Sequence, residues 1–234
     1  MSEAGGSGGE KPSVRFYFDF VSPYSWLALM QAREFAKAHG VKWSLRPVVY
    51  GAILDSTGLQ GPAEIHSKRR YTIRDTVRCA RRQGLKLSGP PAHPFRSLEA
   101  LRTVCCFESD PMVVDLSIAL ADAAWGQGLD LTDLSVLRDV VSGLGLPAEN
   151  LAERIADPAA KRRLHALTRE ALDEGVFGVP TFIHRGEIFW GHDRLPHLAD
   201  WIEGRYRLDR ETADRILERP RGAERRGSRW KETS

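Results

Sequence analysis

The sequence predicts an α/β fold in which a β-α-β opening and a β-β-α close frame an all-helical insertion domain. Alternating, aromatic-rich runs at both ends of the chain read as strands, and strand signals vanish between about Ala52 and Glu174. In that middle stretch apolar residues recur at helical spacing instead.

The opening strand is Val14-Arg15-Phe16-Tyr17-Phe18-Asp19-Phe20, which alternates and is rich in residues favoured in strands. Ser22-Pro23 follows, a preferred N-cap before a proline suited to the first helical position, so a helix starts there. It carries Trp26, Leu29, Met30 and Phe35 and stops near Gly40. Lys42 to Val49 reads as a second strand, and a right-handed crossover makes it parallel to the first.

Within the block, Ala63 to Gln83 predicts a basic helix with Ile65, Ile73, Val77 and Ala80 turned inward. Leu98 to Phe107 and Val113 to Trp125 follow, the second apolar at Val113, Leu116, Leu120 and Ala124. Thr132 is read as the cap of a helix bearing Leu134, Leu137, Val141 and Leu144. Asp157-Pro158 opens another, with Leu164, Leu167 and Leu172, that ends at Gly175. The block is expected to lie against one face of the sheet and wall the active cleft.

Strand patterning returns at Thr181 to His184, turns tightly at Arg185-Gly186 and pairs back over Glu187 to Trp190. Asp193 is expected to cap a last helix containing Leu195, Leu198, Trp201 and Ile202. The domain reading is a flexible linker over 1–12, a discontinuous α/β domain over 13–51 and 175–206, the helical insertion over 52–174, and a short helix with a basic flexible tail over 207–234.

Composition narrows the function classes. The content of 42% hydrophobic and 28% charged residues is that of a globular protein. No apolar run approaches the roughly 20 residues that span a bilayer, and no signal-peptide pattern opens the chain, so a cytoplasmic location is expected. Six basic residues against two acidic ones between Arg219 and Ser234 account for more than the net charge of +3. A short basic tail of this kind is a solvated end, so neither nucleic acid nor membrane is expected as a partner. Cys79, Cys105 and Cys106 show neither C-x-x-C nor metal-ligand spacing and read as reduced, small apolar residues. The histidines form no H-x-x-x-H or H-x-H pair, so no metal site is expected, and no phosphate loop is present.

Two segments carry chemistry. Ser22-Pro23-Tyr24-Ser25 stands at a strand-to-helix turn, where a hydroxyl, free helix amides and the partial positive charge of a helix start converge. A serine there can donate to an anion, although Ser-Pro also explains itself as a plain cap. Val179-Pro180-Thr181-Phe182 sets a proline directly before a strand, a position that favours a cis bond.

The element order is that of the thioredoxin-like fold with a helical insertion. Phe18-Asp19-Phe20-Val21-Ser22-Pro23-Tyr24-Ser25-Trp26, Phe177-Gly178-Val179-Pro180 and Gly191-His192-Asp193-Arg194, in this order, resemble the 2-hydroxychromene-2-carboxylate isomerases and the related kappa-class glutathione transferases. Where a DsbA-like oxidoreductase carries C-x-x-C this chain has Ser22 and Ser25, so dithiol exchange through this site is chemically unavailable. The resemblance implies that the thiol arrives with glutathione as cofactor and that Ser22 is the catalytic group stabilising its thiolate.

Ser22, Pro23, Tyr24, Val179, Pro180, His192 (through its backbone N–H) and Asp193 are then expected to bind glutathione, with Asp193 at its γ-glutamyl end. Lys68 and Tyr71, three apart on one helix face, and Leu59 are expected to face the substrate; relatives often carry asparagine where Leu59 stands. The helix over Glu64 to Gln83 has seven basic residues against Glu64 and Asp75, a positive wall suited to carboxylates. The implied reaction is ring opening and cis–trans isomerisation of an aromatic carboxylate of the 2-hydroxychromene-2-carboxylate kind, through a glutathione thiolate adduct in aromatic degradation. A homodimer is expected. A kappa-type transferase and a non-catalytic thioredoxin-fold binding module stay open as alternatives.

Overall fold

A computed structural model describes residues 11–222; most of the expected linker and positions 223–234 of the basic tail lie outside the described residues. Strand β1 (Ser13–Phe18) is followed by α1 (Pro23–Leu29), α2 (Ala32–His39) and β2 (Lys42–Pro47). The insertion holds α3 (Tyr50–Thr57), α4 (His66–Arg82), α5 (Leu98–Cys106), α6 (Val113–Trp125), α7 (Leu134–Gly143), α8 (Leu151–Ala156) and α9 (Pro158–Asp173). Strands β3 (Thr181–His184) and β4 (Glu187–Trp190), a 3-10 turn at His192–Arg194, α10 (Leu195–Ile202) and α11 (Arg210–Leu217) complete the order.

The sheet runs β2-β1-β3-β4, with β1 and β2 parallel and β3 antiparallel to both β1 and β4. This is the expected thioredoxin-like arrangement, and no strand from the insertion enters the sheet. Arg185 and Gly186 close the β3–β4 hairpin with φ of 52° and 81°, the two positive angles of a type I′ turn.

Alternation along β1 sends Val14, Phe16 and Phe18 into the larger apolar core and Tyr17 into a smaller one on the opposite face. Phe16 meets Phe182 across the strands at 4.6 Å between ring centres. The insertion supplies both cores: Leu101, Leu116, Leu120 and Leu167 pack in the first, Ile53 and Ala171 in the second. It therefore packs on both faces of the sheet rather than on one, because Leu164 and Leu167 of α9 join the first core while Ile53 of α3 and Ala171 near the end of α9 join the second.

Four local expectations are corrected. The helix expected from Pro23 to Gly40 breaks at Met30-Gln31, where the Gln31 side chain donates to the Leu27 carbonyl at 3.0 Å and satisfies an end group of α1. Asp133, not Thr132, caps α7, since the Thr132 hydroxyl is spent on Asp130. Asp193 does not cap α10; it lies inside the 3-10 turn, and Arg194 occupies the cap position without a side-chain bond. On α4 it is Thr72, Thr76 and Ala80 that are buried, while Ile73 and Val77 are exposed. Trp125 is a core residue whose Nε1 donates to the Phe20 carbonyl. Among the described residues no helix is long and apolar enough to cross a membrane.

Candidate active site

The turn between β1 and α1 brings Ser22 to the floor of a cleft of about 1360 Å³ between the sheet and α4. Ser22 is buried and extended (φ −88°, ψ 118°), as an N-cap requires, and its Oγ accepts from the Ser25 N–H at 3.3 Å. The same hydroxyl donates to the Val179 carbonyl at 3.3 Å. Pro23 has no N–H and the Ser25 N–H is taken, so Tyr24 offers the orphan amide of this first turn.

The Val179–Pro180 bond is cis, as expected, and the Pro180 carbonyl accepts from Gly191 N–H at 2.9 Å, tying the two later motifs together. Gly191 adopts φ of 109°, and a Cβ there would stand 2.5 Å from Asp193 Oδ1. Glycine is what allows the Asp193 carboxylate its place on the rim.

Tyr24 stacks on His192, ring centres 5.2 Å apart and planes within 7°, and its hydroxyl donates to Asp75 Oδ2 of α4 at 3.0 Å. Burial and then Asp75 hold the Tyr24 phenol well above its usual pKa. Burial holds the His192 imidazole below its usual value despite Asp193 and Asp75, so the stack is neutral near pH 7.

Asp19 anchors the turn from beneath. Its buried carboxylate accepts from Ser97 Oγ at 2.6 Å, Tyr50 N–H at 2.9 Å and Val21 N–H at 3.1 Å. Burial raises its pKa, and those hydrogen bonds work against the rise.

Ser22, Pro23, Tyr24, Lys68, Tyr71, Val179, Pro180, His192 and Asp193 all line this one cleft. Leu59 does not. It follows the left-handed Gly58 that ends α3 and turns out to solvent, half-exposed, so its expected place beside the substrate is corrected.

Sequence reasoning passed over Asp19, Asp75, His93 and Ser97. The signal for Asp75 was a polar stripe, Thr72, Asp75, Thr76 and Cys79, at helical spacing on α4. Among the described residues no group of three His, Cys, Asp or Glu side chains could hold a metal ion.

Comparison with known proteins agrees with this fold. The family model of the DSBA-like thioredoxin domain matches residues 13–203. The chain is 30% identical over 196 residues to a 2-hydroxychromene-2-carboxylate isomerase of Sphingobium xenophagum, covering 81% of this chain and 97% of that one. It is 25% identical to glutathione S-transferase kappa 1 of Rattus norvegicus, over 82% of this chain and 91% of the relative. A solved 2-hydroxychromene-2-carboxylate isomerase superposes with a TM-score of 0.76 at 27% identity, over 86% of this chain and 98% of that one.

Proposed function

The chain belongs to the DSBA-like thioredoxin family and, within it, to the family of 2-hydroxychromene-2-carboxylate isomerases, and from that premise we propose that it is a glutathione-dependent isomerase of such bicyclic carboxylates. The observation that carries the reading is the pairing of Ser22, a buried hydroxyl at a helix start, with a cis Val179–Pro180 in one large cleft.

The residues fit glutathione. A cleft of about 1360 Å³ exceeds the range of about 300–1,000 Å³ usual for one small ligand, so it has room for a tripeptide and a bicyclic acid together. The Asp193 carboxylate, free of helix capping and exposed, suits the ammonium of a γ-glutamyl group, and the backbone around Val179 suits a peptide. When bound, glutathione would supply a thiolate nucleophile for the conjugated substrate.

The remaining work belongs to the chain. Ser22 Oγ, which donates to Val179, would donate instead to the bound sulfur and stabilise its anion, with the Tyr24 N–H beside it. Tyr24, fixed between His192 and Asp75, keeps the helix start in register with α4. Lys68 and Arg69 on α4 attract the carboxylate of the substrate. The neutral His192 adds no charge at that corner, where Asp193 faces Arg194 at 3.5 Å in an exposed ion pair that an incoming ammonium would have to share.

The test is an ultraviolet thiolate band that grows when glutathione is added to protein at neutral pH, together with turnover that returns all glutathione unchanged. Consumption of glutathione would favour a kappa-type transferase; no band and no turnover would favour a binding module. We further propose a homodimer, for which α4 offers the exposed Ile73 and Val77 on the side away from the cleft. Sedimentation at micromolar concentration giving only the single-chain species would overturn that.

A further inference from the structure

We propose that His93, on the segment joining α4 to α5, is a positioning residue for Ser22: by holding the Val21 carbonyl it fixes the Val21–Ser22 peptide plane and so the direction of the Ser22 hydroxyl. The inference rests on the glutathione reading above and deepens it.

His93 Nε2 lies 3.1 Å from the Val21 carbonyl oxygen. A carbonyl only accepts, so Nε2 carries the hydrogen and Nδ1 is a bare lone pair. Nδ1 is buried and has no hydrogen-bond partner among the described residues. Burial, with Arg69 close by, keeps the imidazole below its usual pKa even though the Val21 bond favours the proton, so this tautomer persists through the neutral range.

The other edge of the same peptide plane is held as well: the Ser22 N–H donates to the Asp19 carbonyl at 3.1 Å. A peptide unit is rigid. Pinned at both edges, it leaves Ser22 little freedom except its own side-chain rotation, and Oγ then reaches both Val179 and Ser25 at 3.3 Å.

The histidine ring is itself braced. It meets Trp125 edge-on at 5.3 Å, and Trp125 donates to the Phe20 carbonyl at 2.8 Å. The backbone oxygen of His93 accepts from Arg69 of α4 at 3.2 Å. Residues 19, 20 and 21 are thus each held by a different side chain of the insertion: Ser97, Trp125 and His93.

Packing alone does not call for histidine here. A phenylalanine would fill the same space beside Trp125 without burying an unpartnered nitrogen, and buried polar atoms without partners are uncommon enough to need a reason. The reason offered is the Nε2–H: a directed donor on a rigid ring, which a group meant to poise a hydroxyl to a fraction of an ångström requires.

The test compares wild type with His93→Phe, which keeps the ring and loses the donor, and His93→Gln, whose amide N–H can reach the same carbonyl. His93→Leu serves if the phenylalanine variant does not fold. Bound glutathione is titrated by its ultraviolet thiolate band, with unfolding temperature and kcat/KM measured alongside. In His93→Phe the titration should move up by about half to one pH unit and kcat/KM at neutral pH should fall about three- to tenfold, recovering in alkali. His93→Gln should restore most of both. A lower unfolding temperature with an unmoved titration makes His93 a packing residue and overturns the inference, as does an unchanged kcat/KM. A wild-type protein that gives no thiolate band overturns the glutathione reading itself, and this inference with it.

Discussion

The hydroxyl of Ser22 donates to the carbonyl of Val179 at 3.3 Å, across the floor of the cleft and beside a cis proline. On the glutathione reading, the same proton would turn from the Val179 carbonyl to the thiolate sulfur. Redirecting it gives up one neutral hydrogen bond, about 1 kcal/mol, and gains a charge-assisted one of about twice the strength.

Ser22→Ala therefore separates two roles. As a cap it should cost only about 1 kcal/mol of stability. As a thiolate donor its loss should raise the titration of bound glutathione by about one to two pH units and lower turnover at neutral pH about ten- to a hundredfold, with partial recovery in alkali. Identical titration curves would reduce Ser22 to a helix cap.

Gly191→Ala should act on binding rather than on chemistry. Its φ of 109° is costly for any residue with a Cβ, and that Cβ would press on Asp193 Oδ1 at 2.5 Å. The carboxylate must swing away. The expected result is a KM for glutathione about tenfold higher, with kcat within about threefold of wild type, because the change reaches Ser22 only indirectly, through the Gly191 N–H on the Pro180 carbonyl. An unchanged KM would mean Asp193 does not hold the cofactor.

Much of this was legible in the sequence, and the losses have physical causes. The strands at Thr181–His184 and Glu187–Trp190 were read to the residue, since alternation and an Arg-Gly turn leave a single register. Ser22, Val179, Pro180 and Asp193 lie on three motifs picked out by their resemblance to a family, and the structure lines one cleft with them. What failed was the assumption that apolar residues point inward on α4. Its inner side carries small and polar residues instead: Thr72 and Asp75 reach the cleft and Thr76 is buried, while Ile73 and Val77 face out. Asp19, His93 and Ser97 were missed for another reason: their partners lie 31 to 78 positions away, and no periodicity reports such contacts.

Asp75→Asn tests whether α4 is tied to the helix start through Tyr24. Burial contributes most to the raised Tyr24 phenol, and the Asp75 carboxylate comes next. Removing that charge should let Tyr24 ionise at lower pH, visible in the tyrosine ultraviolet titration. Turnover should fall several-fold if the tie keeps Ser22 in register. A Tyr24 titration identical to wild type would show that the 3.0 Å contact does not form in solution.

Stability should fall as the pH drops below about 6.5, and the cleft histidines are the reason. His93 and His192 both have folded pKa values below the ordinary 6.5, chiefly through burial. The unfolded chain therefore binds their protons first, so the stability tied to their neutral forms is complete above pH 6.5 and is lost as acid protonates the unfolded state. A second decline should begin below about 4.5, where Glu170 enters. Burial works to raise its pKa, but hydrogen bonds from Arg46 and Tyr17 and the charge of Arg46 outweigh it and hold the carboxyl low. Its contribution is likewise present at higher pH and lost on acidification. Urea unfolding measured between about pH 7.5 and pH 4 resolves the two limbs. His192→Gln should remove its share of the upper limb, leaving that of His93 and the whole lower limb. Glu170→Gln should shrink only the lower limb, to which the capping carboxylates Asp133 and Asp209 also contribute. A wild-type stability that stays level from about pH 7.5 to pH 5 would mean that neither histidine is held neutral by the fold, and the neutral Tyr24–His192 stack beside Asp193 would have to be abandoned.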